Sequence, residues 1–259
     1  MANSDTVLRY QHRATVKGIT STAYHPTMSR SPMFIVTQVA PYADGPAGVH
    51  GVLTQAASAL TELAGMADLD PVVVSDVADL PPLELARAGV LSLFTIGETP
   101  WSAAQRTAIT DGVRQGRLSI LGVHSATDAC GGWDDYAGLL GARFDGHPWT
   151  QNFDIEIADR THPATAHLQA PWRWHDEVYL FRDLRPDAHV LMRVGHGQLD
   201  MSVPEARVPD CGFPLAWCFT EGQGRCFYTA LGHFPDAWET PAYLRHLAGG
   251  LSWSLQKDS

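Results

Sequence analysis

The feature that most constrains the fold of this chain is a series of short apolar runs that alternate with segments of helical periodicity. Four of the runs read MFIVTQVA, PVVVS, AGVLSLFTI and LSILGV, at residues 33–40, 71–75, 88–96 and 118–123. Strands that are apolar along nearly their whole length are typical of a parallel sheet that helices cover on both faces. The alternation therefore predicts an α/β fold in which right-handed crossovers connect the parallel strands.

Helices are predicted between and after these runs. Apolar residues at helical spacing over residues 49–63 indicate the first helix. A second lies within residues 99–116, where Thr99–Pro100 and Ser102-x-x-Gln105 offer two alternative N-terminal signals and Gly116 offers a stop. A last helix is predicted to open at Thr240–Pro241.

The character of the chain changes after residue 143. Shorter apolar runs follow one another there, joined by turns, and they read FDIEIAD, RWHDEVYLF, AHVLMRV, FPLAWCF and GRCFYTAL. Short strands joined by turns are typical of antiparallel pairing. We therefore predict an antiparallel insertion before the chain rejoins the parallel sheet.

Composition excludes several classes of partner. Of the 259 residues 45% are hydrophobic, and the formal net charge of −10 argues against binding to nucleic acid. The N-terminus has no apolar stretch of a signal peptide, and no run approaches the roughly 20 apolar residues of a membrane span. The cysteines show no Cys-x-x-Cys spacing and are expected to be reduced. We expect a cytoplasmic protein with one domain over residues 33–259, preceded by an extension over residues 1–32.

Candidate chemistry begins at the end of the fourth apolar run. The sequence places His124, Ser125 and Asp128 there, and ligands of open α/β sheets bind outside the carboxyl ends of the strands. A structural interpretation competes with this one, in which Ser125 caps a helix and Asp128 lies in its first turn. The Gly-x-Ser-x-Gly motif of a nucleophile elbow is absent, so Ser125 is expected to bind substrate rather than attack it.

A second histidine, His233, follows another apolar run and is expected to reach the same edge as His124. Two such imidazoles can act as acid and base or hold a metal such as Zn²⁺. His50, at the start of the first predicted helix, is a third candidate ligand. No His-Glu-x-x-His or similar spacing is present, so a metal site would be assembled from distant segments.

Further polar and aromatic candidates come from the region after residue 143. In the run RWHDEVYLF, Glu177 shares one face of a strand with His175, and Asp176 points to the other face. One of these faces is expected to line the pocket. The Gly-His-Pro turn fixes the direction of the His147 imidazole, and the neighbouring Trp149 offers a wall on which a ligand could stack. The competing interpretation is a β-turn with a surface histidine.

Several of these motifs resemble the ThuA-like family of trehalose utilisation. The similar segments lie in the same order between residues 33 and 255 and read GVHSATD, WDDYAGLLGARFDGHPWTQ, THPAT, DEVY, GRCFYTALGH and HLAGGLSW. The resemblance implies a class I glutamine-amidotransferase-like (flavodoxin-like) parallel sheet flanked by helices. In amidotransferases the turn occupied here by His124–Ser125 carries a nucleophilic cysteine, so glutaminase activity is not expected. His233 corresponds to the late histidine of that site.

The same resemblance implies carbohydrate metabolism, and we expect a hydrolase, lyase or isomerase of a keto-sugar or disaccharide derivative. Glu177 or His124 would be the base, His233 the acid or oxyanion stabiliser, and the two aspartates would orient the imidazoles. The expected site residues are His124, Asp128, Asp176, Glu177 and His233 for catalysis, Ser125, Trp133, His147 and Trp149 for the substrate, and His50, His124 and His233 for a divalent metal.

Two other functions remain open at this point. One is a sugar-binding or regulatory domain that has kept the cleft and lost the chemistry. The other is a biosynthetic enzyme that uses the same pocket on a different carbonyl substrate. The expected partner is a sugar-like small molecule in each of the carbohydrate interpretations, and the expected assembly is a homodimer.

Overall fold

The computed structural model describes residues 30–42, 45–47 and 51–256. Nearly all of the extension predicted over residues 1–32 lies outside the described residues, and so does His50. Among the described residues, no helix is both long and apolar enough to cross a membrane.

Strands and helices alternate through the first half of the chain. The strands are β1 (Pro32–Val36), β2 (Pro41–Tyr42), β3 (Gly45–Ala47), β4 (Asp70–Val74), β5 (Val90–Leu93), β6 (Ser119–Val123), β7 (Arg143–Phe144), β8 (Trp149–Ile157), β9 (Trp172–Val178), β10 (Phe181–Arg182), β11 (His189–Val194), β12 (Pro214–Glu221) and β13 (Gly224–Thr229). The α-helices are α1 (Leu53–Met66), α2 (Pro82–Leu85), α3 (Ala103–Arg114), α4 (Asp134–Leu140) and α5 (Pro241–Leu255), and 3₁₀ turns span Val77–Asp79, His124–Asp128 and Pro235–Glu239.

A nine-stranded sheet in the order β4-β1-β5-β6-β13-β12-β11-β8-β9 organises the fold. The first five of these strands are parallel, and the remaining four join them through antiparallel pairs. The parallel strands, ranked along the chain, have the order 2-1-3-4-5, which occurs in doubly wound α/β sheets. The parallel sheet and the antiparallel segment after residue 143 are both confirmed.

Two hydrophobic cores cover the two faces of the sheet. Alternate residues of β1 enter different cores: Met33 and Ile35 pack with α1 and α5, whereas Phe34 and Val36 pack with α2, α3 and α4. Burial on both faces explains why this strand is apolar at every position.

The antiparallel half of the sheet curls back over the carboxyl ends of the parallel strands. In a flat sheet β9 would lie about 19 Å from β13, because four steps of about 4.8 Å separate them. Instead the carboxylate of Asp176 on β9 accepts a hydrogen bond of 2.9 Å from the backbone N–H of Gly232, just beyond β13. Register shifts between β11 and β12, at Val190, Met192 and Arg193, supply local bends of the kind that curve sheets.

Helix α3 decides between the two predicted starts. Ser102 is the N-cap, and it forms a capping box with Gln105, so the signal at Thr99–Pro100 is not used. The helix ends at Arg114, and Gly116 follows in the left-handed region with φ of 68°, as its role as a stop requires. Ser125 does not cap a helix: the turn that contains it has Val123 at its N-cap position, with no side-chain cap.

Candidate active site

The turn after β6 presents His124 in an unusual backbone conformation. Its φ of 47° lies in the left-handed region, which few residues with a side chain adopt, and the side chain is fully buried. Its Nδ1 donates a hydrogen bond of 2.8 Å to the backbone carbonyl of Ala230. This bond places the proton on Nδ1 and leaves Nε2 as the acceptor.

Three groups converge on Nε2 of His124. The Tyr179 hydroxyl lies at 2.8 Å, Nδ1 of His233 at 3.1 Å and Oε2 of Glu177 at 3.5 Å. The proximity of His124 and His233, expected because both follow strands that end at one edge, is confirmed. A single imidazole nitrogen thus joins residues at or just beyond the carboxyl ends of β6, β9 and β13.

Glu177 is the carboxylate at the centre of this group. Its Oε2 lies 3.3 Å from Nδ1 of His233, and its Oε1 lies 3.6 Å from Nδ1 of His147. The pKa of Glu177 is raised to about 7, mainly by burial and also by the negative charges of Asp176 and Asp128, and a hydrogen bond from Tyr179 partly offsets these effects. A carboxylic acid with a pKa near neutrality is suited to general acid–base chemistry.

Asp176 lies on the opposite face of β9 and holds the turn after β13. Its Oδ2 accepts hydrogen bonds from the Trp174 indole at 3.0 Å and the Gly232 amide at 2.9 Å. Its Oδ1 accepts from the amides of Glu177 at 3.0 Å and His233 at 3.3 Å. Burial raises the pKa of Asp176 to about 6 despite these bonds. The prediction that it orients an imidazole is corrected: it positions the backbone of His233.

Asp128 has a different partner from the one predicted. Its Oδ2 accepts a hydrogen bond of 2.5 Å from the hydroxyl of Tyr42, and burial raises its pKa to about 6. Both residues line a cleft of about 130 Å³ that Phe144 also borders. The Phe144 ring lies 4.7 Å from that of Tyr179, so the cleft adjoins the histidine cluster.

The predicted substrate-binding residues have different locations. His147 is half-exposed beside Glu177, and burial lowers its pKa. Ser125 is buried, and its hydroxyl has no hydrogen-bond partner among the described residues. Trp133 and Trp149 are 6% and 2% exposed and belong to the two hydrophobic cores. The prediction that these two rings stack on a sugar is therefore wrong.

The residue types and spacings at the centre of the site fit a divalent metal. Nε2 of His124, Nδ1 of His233 and Oε2 of Glu177 are 3.1, 3.3 and 3.5 Å apart in pairs. Tetrahedral ligands about 2.1 Å from a Zn²⁺ ion would be about 3.4 Å apart, and two histidines with one glutamate form a known catalytic zinc set. The His124–Ala230 hydrogen bond is the kind of support that metal-bound histidines usually have.

Tyr179 and Tyr42 are site residues that the sequence analysis did not select. Tyr179 is two residues beyond Glu177, and the extension of the same alternation past the end of β9 could have found it. Tyr42 follows β1, which ends at the same edge of the sheet as β6. The position of Tyr42 after β1 could have indicated that it belongs to the site, because β1 and β6 are parallel strands and their carboxyl ends lie at one edge of the sheet.

Comparison with known proteins connects these observations to a family. The model of a protein family described as ThuA, trehalose utilisation, matches residues 43–254. A ThuA-like protein from Bacteroides uniformis is similar in structure, with 19% identity, a TM-score of 0.70 and coverage of 92% of this chain and 97% of that one. A ThuA-like protein from Parabacteroides merdae is also similar in structure, with 16% identity, a TM-score of 0.67 and coverage of 88% of this chain and 90% of that one.

A cytoplasmic protein from Salmonella typhimurium is also similar, with 13% identity, a TM-score of 0.57 and coverage of 88% of this chain and 100% of that one. At these identities the likeness to solved structures concerns the fold alone. No curated protein matches the chain.

Proposed function

Because this chain belongs to the ThuA family of trehalose utilisation, we propose that it is an enzyme of carbohydrate metabolism that acts on a keto-sugar or a keto-disaccharide by acid–base chemistry. The observation that carries the proposal is the convergence of Glu177 with three histidines at the carboxyl ends of the strands. The pKa of Glu177, about 7, matches the requirement for a base that works near neutral pH.

The proposed reaction begins at the carbon between the keto group and the glycosidic carbon. A 3-keto group acidifies the C–H bond at C2. Oε1 of Glu177 takes that proton, the electron pair forms a C1=C2 double bond, and the bond from C1 to the glycosidic oxygen breaks. The leaving oxygen then receives a proton from the site. Alternatively, the electron pair forms a C2=C3 double bond, the keto oxygen becomes an enediolate oxygen and the C1–O bond stays intact. Return of the proton to C3 and loss of the proton from the C2 hydroxyl then give an isomer with the keto group at C2.

The histidines supply the remaining proton-handling groups. Burial lowers the pKa of both His233 and His147, so each is mainly a neutral imidazole at pH 7. A neutral imidazole N–H can donate a hydrogen bond to the developing enolate oxygen. His147 lies beside Oε1 of Glu177 and is the half-exposed member of the group, so it can carry the abstracted proton onward.

A bound divalent cation would fit the same scheme. His124, His233 and Oε2 of Glu177 would hold it, and it would supply polarisation of the substrate carbonyl. Oε1 of Glu177 would remain available for the proton. The Tyr179 hydroxyl, which lies 2.8 Å from Nε2 of His124, would give up its hydrogen bond to that nitrogen when the cation is bound.

The fold assignment proposed with this function is the class I glutamine-amidotransferase-like, or flavodoxin-like, type. Its support is the 2-1-3-4-5 strand order and the left-handed residue directly after β6. Glutaminase chemistry is not part of the proposal, because His124 and Ser125 occupy that turn. Cys130 is buried, and burial raises the pKa of its thiol to about 12, so it is a poor nucleophile.

We also propose a cytoplasmic location and a homodimeric assembly. The support for the location is the set of four cysteines, all of which are free thiols.

The test is a proton NMR time course of the purified protein with 3-ketotrehalose, with and without a chelator. Release of glucose or a change in the keto-sugar signals is the expected result, and loss of that activity with the chelator together with metal found in the protein would support the cation. An unchanged spectrum with intact, metal-loaded protein would contradict the proposal and favour a sugar-binding domain or a different carbonyl substrate.

A further inference from the structure

We propose that the exposed face of β8 and β9 next to Glu177 is a second subsite that binds the other sugar ring of a disaccharide. This inference rests on the proposed function for its placement, because Glu177 marks where the reacting ring lies. It adds what that function leaves open, namely how the protein distinguishes a disaccharide from a simple glycoside.

The register of the two strands places the relevant side chains on one face. Glu177 pairs with Thr150 and His175 with Asn152, and directly opposite residues of an antiparallel pair point to the same side. Thr150, Asn152 and His175 are exposed, whereas Glu177 is nearly buried. Two residues along a strand span about 6.7 Å, so Asn152 and His175 lie about one sugar ring away from Glu177.

A row of aromatic rings links the histidine cluster to this face. The Phe234 ring lies 4.7 Å from the His233 ring on one side and 4.9 Å from the His175 ring on the other. Phe234 is only partly buried. A ligand that extends from His233 toward His175 would therefore pass over the Phe234 ring.

The row opens into a groove of about 480 Å³ at the edge of β9. Trp172 and Trp174 alternate with His175 and therefore lie on the opposite face of β9, but both also line this groove at the strand edge. Trp172 is partly exposed there, and its ring lies 4.8 Å from that of Trp174. Asn152 and Asp236 also line the groove and present hydrogen-bonding groups. Aromatic walls with a few polar groups are typical of small-molecule sites, and they suit a sugar, which has apolar C–H faces and a rim of hydroxyls.

The charges of the groove favour a neutral ligand. Its cationic side chain, Arg173, makes a hydrogen bond of 3.1 Å with Asp154, which neutralises it. Asp236 adds a carboxylate to the lining. An anionic ligand such as a sugar phosphate would meet no uncompensated positive charge among these residues, so a neutral glucosyl ring is the occupant we assign.

The experiment compares the binding of trehalose and methyl α-glucoside by isothermal titration calorimetry. Neither ligand carries a keto group, so the measurement does not depend on turnover. The wild-type protein is expected to bind trehalose at least about tenfold more tightly than methyl α-glucoside. N152A and H175A are each expected to lose most of this preference without loss of the fold by circular dichroism. H189A, which removes an exposed histidine from the far end of β11, is the matched control and should retain it.

Equal affinities in the wild-type protein, no disaccharide binding at all, or an unchanged preference in both groove variants would each overturn the subsite. Failure of the proposed reaction is a separate result: a trehalose preference that depends on Asn152 and His175, together with an unchanged 3-ketotrehalose spectrum, would uphold the subsite and reject the chemistry. Turnover of 3-ketotrehalose without any preference for trehalose over methyl α-glucoside would uphold the chemistry and reject the subsite.

Discussion

Glu177 is the residue on which the proposed chemistry depends most directly. Replacement of Glu177 by Gln keeps its size and removes the carboxylate that takes the proton, so turnover of 3-ketotrehalose should fall by about 10² to 10⁴-fold. The fold should remain intact because the amide is close to isosteric with the acid. Steady-state kinetics by NMR or by a coupled glucose assay would measure the change.

The matched control for this substitution is E156Q, which alters an exposed glutamate on the neighbouring strand β8. Its turnover should equal that of the wild-type protein. If E177Q kept more than about a tenth of the wild-type rate, the assignment of Glu177 as the base would be wrong, because loss of a general base costs at least about 10²-fold.

The elevated pKa of Glu177 also predicts how stability depends on pH. The folded-state pKa of about 7 exceeds the ordinary value of 4.5, so the unfolded chain ionises first as the pH rises. Stability is therefore fully present below about pH 4.5 and is lost progressively as the pH approaches 7, by roughly 3 kcal/mol for this group. Thermal or urea unfolding between pH 4.5 and 8 would measure it.

The variant E177Q lacks this ionisation and should show a correspondingly flatter stability profile over the same interval. Asp128 and Asp176, each with a pKa raised to about 6, should retain their own contributions in that variant. Identical pH profiles for wild type and E177Q would show that Glu177 is not protonated at an elevated pKa.

Residue-level signals in the sequence differed in what they could predict. The position of His124 after one apolar run and His233 after another was enough to bring them together, because strand ends share an edge. Trp149 misled because it was considered beside the Gly-His-Pro turn alone. Its alternation with Phe153 and Ile155 in β8 assigns it to the buried face, and that periodicity was available in the sequence.

At the scale of single elements, α3 shows what a local motif contributes to stability. Ser102 accepts a hydrogen bond from the Gln105 amide and Gln105 bonds back to the Ser102 amide. Replacement of Ser102 by Ala should therefore lower the free energy of unfolding by about 1 kcal/mol. Urea denaturation of the two proteins would give the difference.

Thr99 provides the contrasting substitution, because it belongs to the alternative start that α3 does not use. Its hydroxyl is buried and has no hydrogen-bond partner among the described residues. T99V keeps the shape and removes that hydroxyl, so it should leave stability unchanged or raise it slightly. A larger loss in T99V than in S102A would reverse this account of the helix start.

Elements were predictable where local rules determine them, and less so where tertiary packing does. The apolar runs at 118–123 and 71–75 correspond closely to β6 and β4. Burial on both faces explains the pattern of β6, whereas β4 is an edge strand on which Val72 and Val73 are exposed. The run at 88–96 overestimated β5, which ends at Leu93. Phe94 and Ile96 are buried beyond the end of β5, and Ile96 still forms an isolated parallel bridge with Val39, so the apolar run reflects packing and irregular pairing past the regular strand.

The whole molecule depends on a feature that no local pattern contains, the curl of the antiparallel half. Sequence periodicity predicted strands there but could not show that β9 returns to the edge of the parallel strands. That return places Glu177 against His124 and His233. The site is therefore assembled by the sheet as a whole. Glu177 could be selected from its position in a strand, but the residues that surround it depend on the curl of the sheet and could be predicted only in part.

Asp176 fastens this curl, and the variant D176N tests its importance. Each carboxylate oxygen of Asp176 accepts two N–H groups, so either orientation of an asparagine amide would set its NH₂ against two donors. Buried donors left without acceptors cost about 1–3 kcal/mol each. D176N should therefore lose at least about 2 kcal/mol of stability in urea unfolding, and the amides of Gly232 and His233 should exchange hydrogen faster.

The loss should reach catalysis as well, although Asp176 contacts no substrate in the proposed reaction. Release of the turn would move His233 away from Glu177, so kcat should fall and the pH dependence of the rate should shift with the altered surroundings of Glu177. D154N, which changes a half-exposed carboxylate paired with Arg173 on the neighbouring strand, should lose no more than about 1 kcal/mol and leave the Gly232 exchange rate unchanged. Slow exchange at Gly232 and full activity in D176N would mean that the curl is held by packing alone, and Asp176 would then have no positioning role.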